Sequence, residues 1–361
     1  TRPTVVVDGF QYACRRLSEH YFLTHFHADH YGGLDAGFDA GTVYCTPATA
    51  RLVRLRLRVP AARLRPLELG RPLTLGNVVC TLLDANHCPG AAMVHMVFTD
   101  TGETVLHVGD FRWDKAKMVN IKNSSLVGLE PSSLSVRSSE TYHSGGLQQK
   151  PIVDVIYLDT TYCDPRYTFP TQAKVIEAAV QVAVRHLAED STNTLFLVGA
   201  YSLGKERLYI ELAKQMGLKA SMDRSRWQVL ACLGWPAEQM ALCLPDPQAT
   251  QLRVVPISHI NFKKLGTYLE RRGALSSDYS RIIAFQPTGW AFSGTTSSSL
   301  LSVRKSGKCI IYGVPYSEHS SFSELKECIA VLKPSRIIPT VNCSSEQKVQ
   351  EQIRLLSTHG L

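Results

Sequence analysis

The sequence lacks the features of a membrane-spanning or secreted chain. It has no run of about eighteen or more apolar residues, the length that a helix needs to cross a bilayer. It opens on Thr1 without the charged and apolar segments of a secretory signal. We therefore expect no membrane partner. Because the first residue is not Met, we also expect the chain to be part of a longer protein.

The ten cysteines include no pair with the C-x-x-C spacing. That spacing is typical of structural zinc sites, so a zinc finger is disfavoured. Without a secretory signal, we expect reduced thiols in the cytosol or nucleus.

Charged residues make up only 19% of the chain, but their balance is uneven. The chain has 39 Lys and Arg against 31 Asp and Glu, a formal net charge of +8. An excess of positive charge suits a polyanion such as nucleic acid, although many basic proteins bind none. With 361 residues and 44% hydrophobic residues, the chain suits one large or two interlocked domains.

Secondary-structure signals change along the chain. β-Branched and aromatic runs predict short strands in the first 110 residues, with a hairpin turn at Gly76-Asn77. A helix is predicted from Pro47 to about Leu57, with Thr46 as its N-cap. From about residue 172 helical and strand patterns alternate, which is typical of an α/β fold. Residues 116–150 are Ser-rich and aperiodic, and we expect a mobile loop there.

Metal-ligand residue types cluster in the segment THFHADH at 24–30. His25, His27, Asp29 and His30 follow the apolar strand YFL. Alternate positions of a strand point the same way, so the first two histidines can share one metal. The following turn swings the other two residues toward a second metal. Catalytic zinc sites use imidazole and carboxylate ligands; the alternative is a polar loop with incidental histidines, which this spacing disfavours.

Three later residues share one local context, the end of a predicted strand. His87 lies in DANHCPG, Asp110 in LHVGDFR and His319 in YSEHSS. Each alone is more often a capping or loop residue, but open sheets gather ligands at strand ends. Together with the first cluster, they supply two metal sites.

The pattern H-x-H-x-D-H, with a later His, a later Asp and a C-terminal His, resembles the metallo-β-lactamase superfamily. Other segments resemble its β-CASP DNA cross-link repair nucleases, and the details are nearest to the 5′ exonuclease branch. These segments run from about residue 4 to 342 and include THFHADHYGGL, LLDANHCPGAAM, GDFR, YLDTTYCDPRYTFP, YSLGKE, INFKKL, PTGW, YGVPYSEHSSF and IIPTVN.

The resemblance implies one or two metal ions, and two ions would share a bridging carboxylate. Zinc is the expected metal, and other divalent metals also suit the second site. The first ion would take His25, His27, His87 and Asp110. The second would take Asp29, His30, His319 and the bridging Asp110. The residues expected to act in catalysis are Asp29, Asp110, Asp159 and His319.

The resemblance also implies supporting roles. Asp159 matches the first β-CASP motif and is expected to hold a ligating histidine. Val341 matches the third, where RNA-acting members carry histidine. Asp8 matches the first lactamase motif and is expected to support the metal loop, with a strand-end cap as the alternative. Paired ions can activate water and neutralise the charge that develops on a phosphate, so no nucleophilic side chain is needed.

A 5′→3′ exonuclease needs a pocket for the terminal phosphate, and YSLGKE offers one after a predicted strand. Ser202, Gly204 and Lys205 supply a hydroxyl, a free backbone and a cation. Thr161 and Ser317 flank metal-site residues and can reach the same phosphate. The alternative is a helix cap with a solvated lysine.

Other basic and aromatic residues are weaker candidates for DNA contact. The segment 51–65 carries six arginines that can follow a phosphate backbone, with a solvated helix face as the alternative. Gln286 stands where the family leads us to expect arginine, which weakens a DNA contact there. The remaining candidates, with solvated or core positions as alternatives, are Lys263, Lys264, Arg271, Arg272, Tyr162, Tyr316, Trp290 and Phe292.

The implied fold is an αββα sandwich of the α/β class with an inserted β-CASP domain. We expect residues 1–165 and 313–361 to form the lactamase domain and 166–312 to form the inserted domain. The active site is expected in the cleft between them. The stretch 116–150 departs from the family's tighter connection.

The implied function is that of a 5′→3′ DNA exonuclease in interstrand cross-link repair. We expect a nuclear monomer that acts on single-stranded or 5′-phosphorylated DNA. A structure-specific DNA endonuclease and an RNA-processing β-CASP nuclease are alternatives, and Val341 disfavours the second. The large insertion and basic charge disfavour a small-molecule hydrolase. The complete ligand set disfavours a non-catalytic scaffold.

Overall fold

The computed structural model describes residues 4–118, 152–270, 279–289 and 300–357. The expected mobile loop lies outside these ranges apart from residues 116–118, which the structure places in a short helix. Arg271, Arg272, Trp290 and Phe292 also lie outside the described residues. Within the described ranges, no helix has the length and apolar character needed to cross a membrane.

Four short parallel strands form the first sheet. They are β1 (Val5–Val7), β2 (His20–Phe22), β3 (Thr42–Cys45) and β4 (Leu64–Pro66). The helices α1 (Ala28–Tyr31) and α2 (Pro47–Leu57) follow β2 and β3. The predicted helix α2 is confirmed: the Thr46 side chain accepts from the Thr49 N–H, and Pro47 occupies a position that needs no donor.

Six strands form the second sheet, in the order β17-β9-β8-β7-β6-β5. They are β5 (Pro72–Leu75), β6 (Val78–Asp84), β7 (Ala92–Phe98), β8 (Thr104–His107), β9 (Val155–Leu158) and β17 (Arg336–Pro339), with helix α3 (Lys115–Met118) after β8. The antiparallel pair β5–β6 confirms the predicted hairpin. Phe22 of the first sheet shares an apolar cluster with Leu82 and Val94 of the second, so the two sheets stack face to face.

Seven strands form the third sheet, in the order β12-β11-β13-β10-β14-β16-β15. They are β10 (Thr194–Ala200), β11 (Ala220–Ser221), β12 (Cys243–Leu244), β13 (Leu252–Pro256), β14 (Arg281–Pro287), β15 (Ser302–Ser306) and β16 (Cys309–Val314). Neighbouring strands are parallel except β15 and β16.

The other α-helices of the described ranges follow β9 along the chain. They are α4 (Gln172–Glu189), α5 (Glu206–Met216), α6 (Arg224–Ala231), α7 (Ala237–Met240), α8 (Phe262–Glu270), α9 (Phe322–Leu332) and α10 (Glu346–Ser357). The α/β class is confirmed. The division of the chain at residues 165 and 312 stays a prediction.

Helix α2 joins the first sheet to the segment that follows the third sheet's strand β11. Arg51 Nε donates to the Cys232 carbonyl at 2.5 Å, and Arg56 donates to the Ser225 carbonyl at 2.8 Å and to its hydroxyl at 2.6 Å. These two arginines lie on the exposed face of the helix and also bind the neighbouring segment. A shared apolar cluster that includes Ile156 also connects the second and third sheets.

Candidate metal centre

The segment after β2 places His25 and His27 side by side. The Thr24 N–H and hydroxyl donate to the two carboxylate oxygens of Asp8 at 2.8 and 2.6 Å. His25 is fully buried, and its Nε2 lies 2.9 Å from Nδ1 of His27. Asp8 has a positive φ of 53°, which allows its carboxylate to reach the metal-site loop. Asp8 is therefore not only a strand-end residue, because its carboxylate also binds Thr24 beside His25.

Four imidazoles converge on one carboxylate. Nε2 of His25, His87 and His319 lies 3.5, 3.8 and 4.0 Å from Asp110 Oδ2, and Nε2 of His30 lies 3.3 Å from Oδ1. The five residues lie in four segments, each of which follows a strand: β2, β6, β8 and β16. The predicted gathering of ligands at strand ends thus brings these five side chains together.

The cluster divides into three groups that each could hold a cation, with their ligand atoms within 4.8 Å of one another. Asp110 belongs to all three, as a bridging carboxylate would. The groups are His25, His27, His87 and Asp110; Asp29, His30 and Asp110; and Asp110, Asp159 and His319. The set that the resemblance assigns to the second ion is divided between the second and third groups, and the third group also contains Asp159.

Acceptors behind the rings orient the imidazoles. His30 Nδ1 lies 2.7 Å from Asp8 Oδ2, His87 Nδ1 lies 2.9 Å from the Glu318 carbonyl, and His319 Nδ1 lies 2.8 Å from Asp159 Oδ2. An acceptor at Nδ1 holds the proton there and leaves Nε2 free as a ligand. The Asp159 contact matches the supporting role expected for that residue.

Burial lowers the pKa of His25 and His87 well below the ordinary value, and neighbouring imidazoles lower it further. Burial also lowers the pKa of His27. At His30, hydrogen bonds to Asp110 and Asp8 outweigh burial and raise the pKa to about 11. At His319, the charge and hydrogen bond of Asp159 outweigh burial and raise it to about 9.

Burial opposes ionisation of Asp110, but the hydrogen bond with His30 outweighs it and holds the pKa of this carboxyl below its ordinary value. Uncharged imidazoles beside an ionised carboxylate are the donor set that divalent metals bind. The protons on His30 and His319 supply positive charge where a cation would supply it. The residues present therefore fit a divalent metal.

The metal-site cavity has a volume of about 810 Å³. It is lined by Thr161, Ser202, Lys205 and Val341 together with six of the expected ligands, which are His27, Asp29, His30, His87, Asp110 and His319. The Thr161 hydroxyl donates to Asp159 at 2.6 Å. Ser317 is buried, and its hydroxyl donates to the His319 carbonyl and accepts from the His319 N–H. Its hydroxyl is thus used to shape the His319 loop, and its phosphate contact stays a prediction.

Lys205 is a buried ion-pair partner. Its Nζ lies 2.5 Å from Glu318 Oε2, and its backbone N–H donates to Glu318 Oε1 at 2.8 Å. Gly204 has a φ of +109°, and a Cβ there would lie 2.8 Å from Glu318 Oε2, so the loop requires glycine. The Gly204 N–H donates to Glu206 Oε1. The alternative of a solvated lysine is therefore wrong.

Two residues of the site were not predicted from the sequence. Glu318 precedes His319 and binds Lys205, 113 residues away. Arg112, the buried last residue of GDFR, donates to the Ser317 carbonyl at 2.9 Å and pairs with Glu324 at 2.8 Å. Their charged side chains, next to the expected ligands in GDFR and SEHSS, are the sequence signal that could have identified them. Together they fix the loop that carries His319.

Two stacked sheets with a histidine and aspartate cluster at their strand ends define a protein of the metallo-β-lactamase type. A family model described as beta-lactamase superfamily domain matches residues 19–185. A second, described as DNA repair metallo-beta-lactamase, matches residues 237–345. The chain is thus similar to the metallo-β-lactamase superfamily over its first half and to the DNA-repair members of that superfamily over residues 237–345.

Curated relatives carry names from DNA repair. The chain is 39% identical to the DNA cross-link repair protein SNM1 of Arabidopsis thaliana, over 96% of this chain and 66% of the relative. It is 38% identical to the DNA cross-link repair 1A protein of Homo sapiens, over 93% and 29%. It is 31% identical to the 5′ exonuclease Apollo of Danio rerio, over 90% and 48%. The chain thus spans less than two thirds of the length of these three relatives.

A solved structure shares the fold. The crystal structure of a protein of unknown function from Enterococcus faecalis V583 aligns with a TM-score of 0.52 and 13% identity, over 88% of this chain and 74% of that chain.

Proposed function

We propose that the chain is a metal-dependent DNA nuclease, a 5′→3′ exonuclease that hydrolyses phosphodiester bonds in interstrand cross-link repair. The convergence of four imidazole Nε2 atoms on Asp110 carries the proposal. The names of the relatives, which include a 5′ exonuclease, support the substrate class. The net charge of +8 favours a polyanion.

We assign two divalent ions, with zinc as the expected metal, to the cluster. His25, His27, His87 and Asp110 would hold the first. Asp29, His30, His319 and the bridging Asp110 would hold the second, with Asp159 behind His319. When bound, the ions supply Lewis-acid stabilisation of the charge that develops on the phosphoryl oxygens.

The protein's own groups orient the site and hold the substrate. Asp8, Asp159 and the Glu318 carbonyl keep three imidazoles in the tautomer and angle that ligation needs. Because these contacts exist before substrate binds, the site needs little reorganisation during the reaction. Ser202 presents its hydroxyl on the cavity wall, where it can donate to a phosphate, whereas the Thr161 hydroxyl on the same wall already donates to Asp159.

The proposed substrate end is a 5′ phosphate on single-stranded DNA. We propose that the protein acts in the nucleus, as a monomer. Val341 stands at the position where an RNA-acting relative would carry histidine. Its backbone carbonyl accepts from the Thr160 hydroxyl at 2.7 Å. That residue identity favours DNA over RNA.

The test is a time course with zinc-supplemented protein on single-stranded DNA labelled at its 3′ end. A ladder that shortens from the 5′ end, depends on the 5′ phosphate and stops with chelator is the expected result. Asp110→Asn should slow it by more than about 100-fold, since even residues outside the ligand shell cost 10–100-fold. Full activity of that variant, or cleavage that chelator leaves unchanged, would contradict the proposal.

A further inference from the structure

The third sheet has a topological switch point between β10 and β13. These strands are neighbours and run parallel. The chain leaves β10 for α5 and leaves β13 for α8. Phe196 of β10 packs in one apolar cluster with Leu208 of α5, whereas the adjacent Leu197 packs in another with Leu265 of α8. The two connections therefore lie on opposite faces, and open α/β sheets bind ligands outside such a point.

A crevice of about 420 Å³ opens at the carboxyl ends of these two strands. Tyr201 and Ser202 form the wall after β10, and Ile257 and Ser258 form the wall after β13. Arg56 reaches the crevice from α2. Because Tyr201 and Ser202 also line the metal-site cavity, the two cavities share one two-residue wall.

The crevice is held in shape by a buried arginine. Arg226 of α6 is 6% exposed and donates to the carbonyls of Tyr201 and Ala200. Its Nε makes no hydrogen bond with the described residues. The backbone N–H of Arg226 donates to Asp223, which caps α6. The wall that separates the two cavities is thus fixed to the helix behind it.

The groups around the crevice match one nucleotide. Tyr201 is 55% exposed, and Lys205 Nζ lies 5.8 Å from its ring centroid. An exposed ring can stack a base. Arg56 is anchored to Ser225 through its NH2 group and keeps other donors for a phosphate. Val229 and Ile257 give the crevice apolar surface. Its volume falls in the range of about 300–1,000 Å³ typical of small-ligand sites.

We infer that this crevice is a second nucleotide subsite, which binds one nucleotide of the DNA strand whose phosphodiester bond lies at the metal centre. The inference rests on the proposed function and adds to it a position along the strand. A strand that enters both cavities would pass Tyr201 and Ser202. The subsite makes the enzyme favour strands longer than the reacting nucleotide, because binding energy from remote groups supports the reacting centre.

In the test, Ser258→Trp fills the crevice with an indole side chain from its exposed rim. The control is Gln248→Trp, which adds the same side chain at an exposed position that does not line the crevice. The probe is a 5′-phosphorylated octathymidylate with phosphorothioate linkages and a 3′ fluorophore, titrated with zinc-supplemented protein. Loss of one stacked base weakens binding by about 5- to 150-fold. We expect that loss for Ser258→Trp and not for Gln248→Trp. Tyr201→Ala should follow Ser258→Trp, and Tyr201→Phe, which keeps the stacking ring, should lose less.

A second arm uses dTMP as competitor, since a free nucleotide has the same chemistry as one in a strand. Weak competition by dTMP is expected. Strong competition that Ser258→Trp abolishes would overturn a strand subsite in favour of a product site. Equal octathymidylate binding by the two tryptophan variants would overturn the subsite itself.

The wild-type protein separates this inference from the proposed function. Its hydrolysis of DNA and of bis(4-nitrophenyl) phosphate reports on the metal centre. Failure on both substrates would overturn the nuclease proposal, whatever the variants bind. For Ser258→Trp we expect the DNA rate to fall relative to its own diester rate. A constant ratio with active enzyme would overturn the subsite alone.

Discussion

Among single residues, Lys205 differs most from the free cation expected from the sequence, because its ammonium group is paired with Glu318 inside the protein. Lys205→Ala leaves Glu318 buried without its partner, and breaking a buried pair costs about 3–5 kcal/mol. We expect the free energy of unfolding to fall by that amount. Urea unfolding of the variant measures it.

The double variant Lys205→Ala with Glu318→Gln is the matched control. It removes the unpaired charge and keeps an oxygen for the Lys205 backbone N–H, so most of the lost stability should return. If Lys205→Ala alone is as stable as wild type, the buried pair contributes nothing. A phosphate role for Lys205 should be tested only in a background where the fold is intact.

Glu206 gives a stability effect that depends on pH. Burial, then the nearby Glu318 charge, raises the pKa of its carboxyl from 4.5 to about 7. Below pH 4.5 the carboxyl is neutral in both the folded and unfolded states. Between 4.5 and 7 only the unfolded chain ionises, so the free energy of unfolding falls as pH rises, by up to about 3 kcal/mol.

Glu206→Gln stays neutral and keeps an oxygen for the Gly204 N–H, so it should avoid that loss. We expect Glu206→Gln to exceed wild type in stability by up to about 3 kcal/mol at pH 8 and by less at pH 5.5. Urea midpoints across this range measure the difference. A difference that does not change with pH would show that Glu206 has an ordinary pKa in the folded protein.

At the scale of elements, the N-terminus of α9 fixes the loop that carries His319. Ser321 and Glu324 form a capping box, and Glu324 also binds Arg112. Ser321→Ala should cost about 1 kcal/mol of stability and also weaken zinc binding, because the His319 loop loses its anchor. Zinc titration and thermal melting measure the two effects.

Ser345→Ala is the control for that prediction. The Ser345 hydroxyl accepts from the Lys348 N–H at the start of α10, away from the ligands, so its loss should affect stability alone. Equal zinc affinity in the two variants would show that the α9 cap does not position His319.

Elements with a local signal were predictable, and contacts between distant elements were not. Helix α2 follows from Thr46-Pro47, and the β5–β6 hairpin follows from Gly76-Asn77. The clustering of the histidines and aspartates could be predicted because residue type and strand-end position identify them. The Lys205–Glu318 pair joins residues 113 positions apart and the Arg56–Ser225 contact joins residues 169 apart. A single sequence holds no periodicity that reports such pairings.

At the scale of the whole molecule, the candidate metal centre connects segments that are far apart in the chain. His25, His87, Asp110 and His319 follow β2, β6, β8 and β16. A cation that binds these residues only in the folded state stabilises that state, by about 4 kcal/mol at a free concentration 1,000 times its dissociation constant. For a chain of 361 residues, this raises the melting temperature by on the order of 5 °C.

We therefore expect chelator to lower the melting temperature and added zinc to restore it, with a larger shift than manganese, since zinc binds such donor sets more tightly. Asp110→Asn should lose most of the shift, because Asp110 belongs to all three ligand groups. Asp35→Asn alters an exposed carboxylate outside those groups and should keep the full shift. If Asp110→Asn responds to zinc as strongly as Asp35→Asn, the cation binds elsewhere and the cluster is not the metal centre.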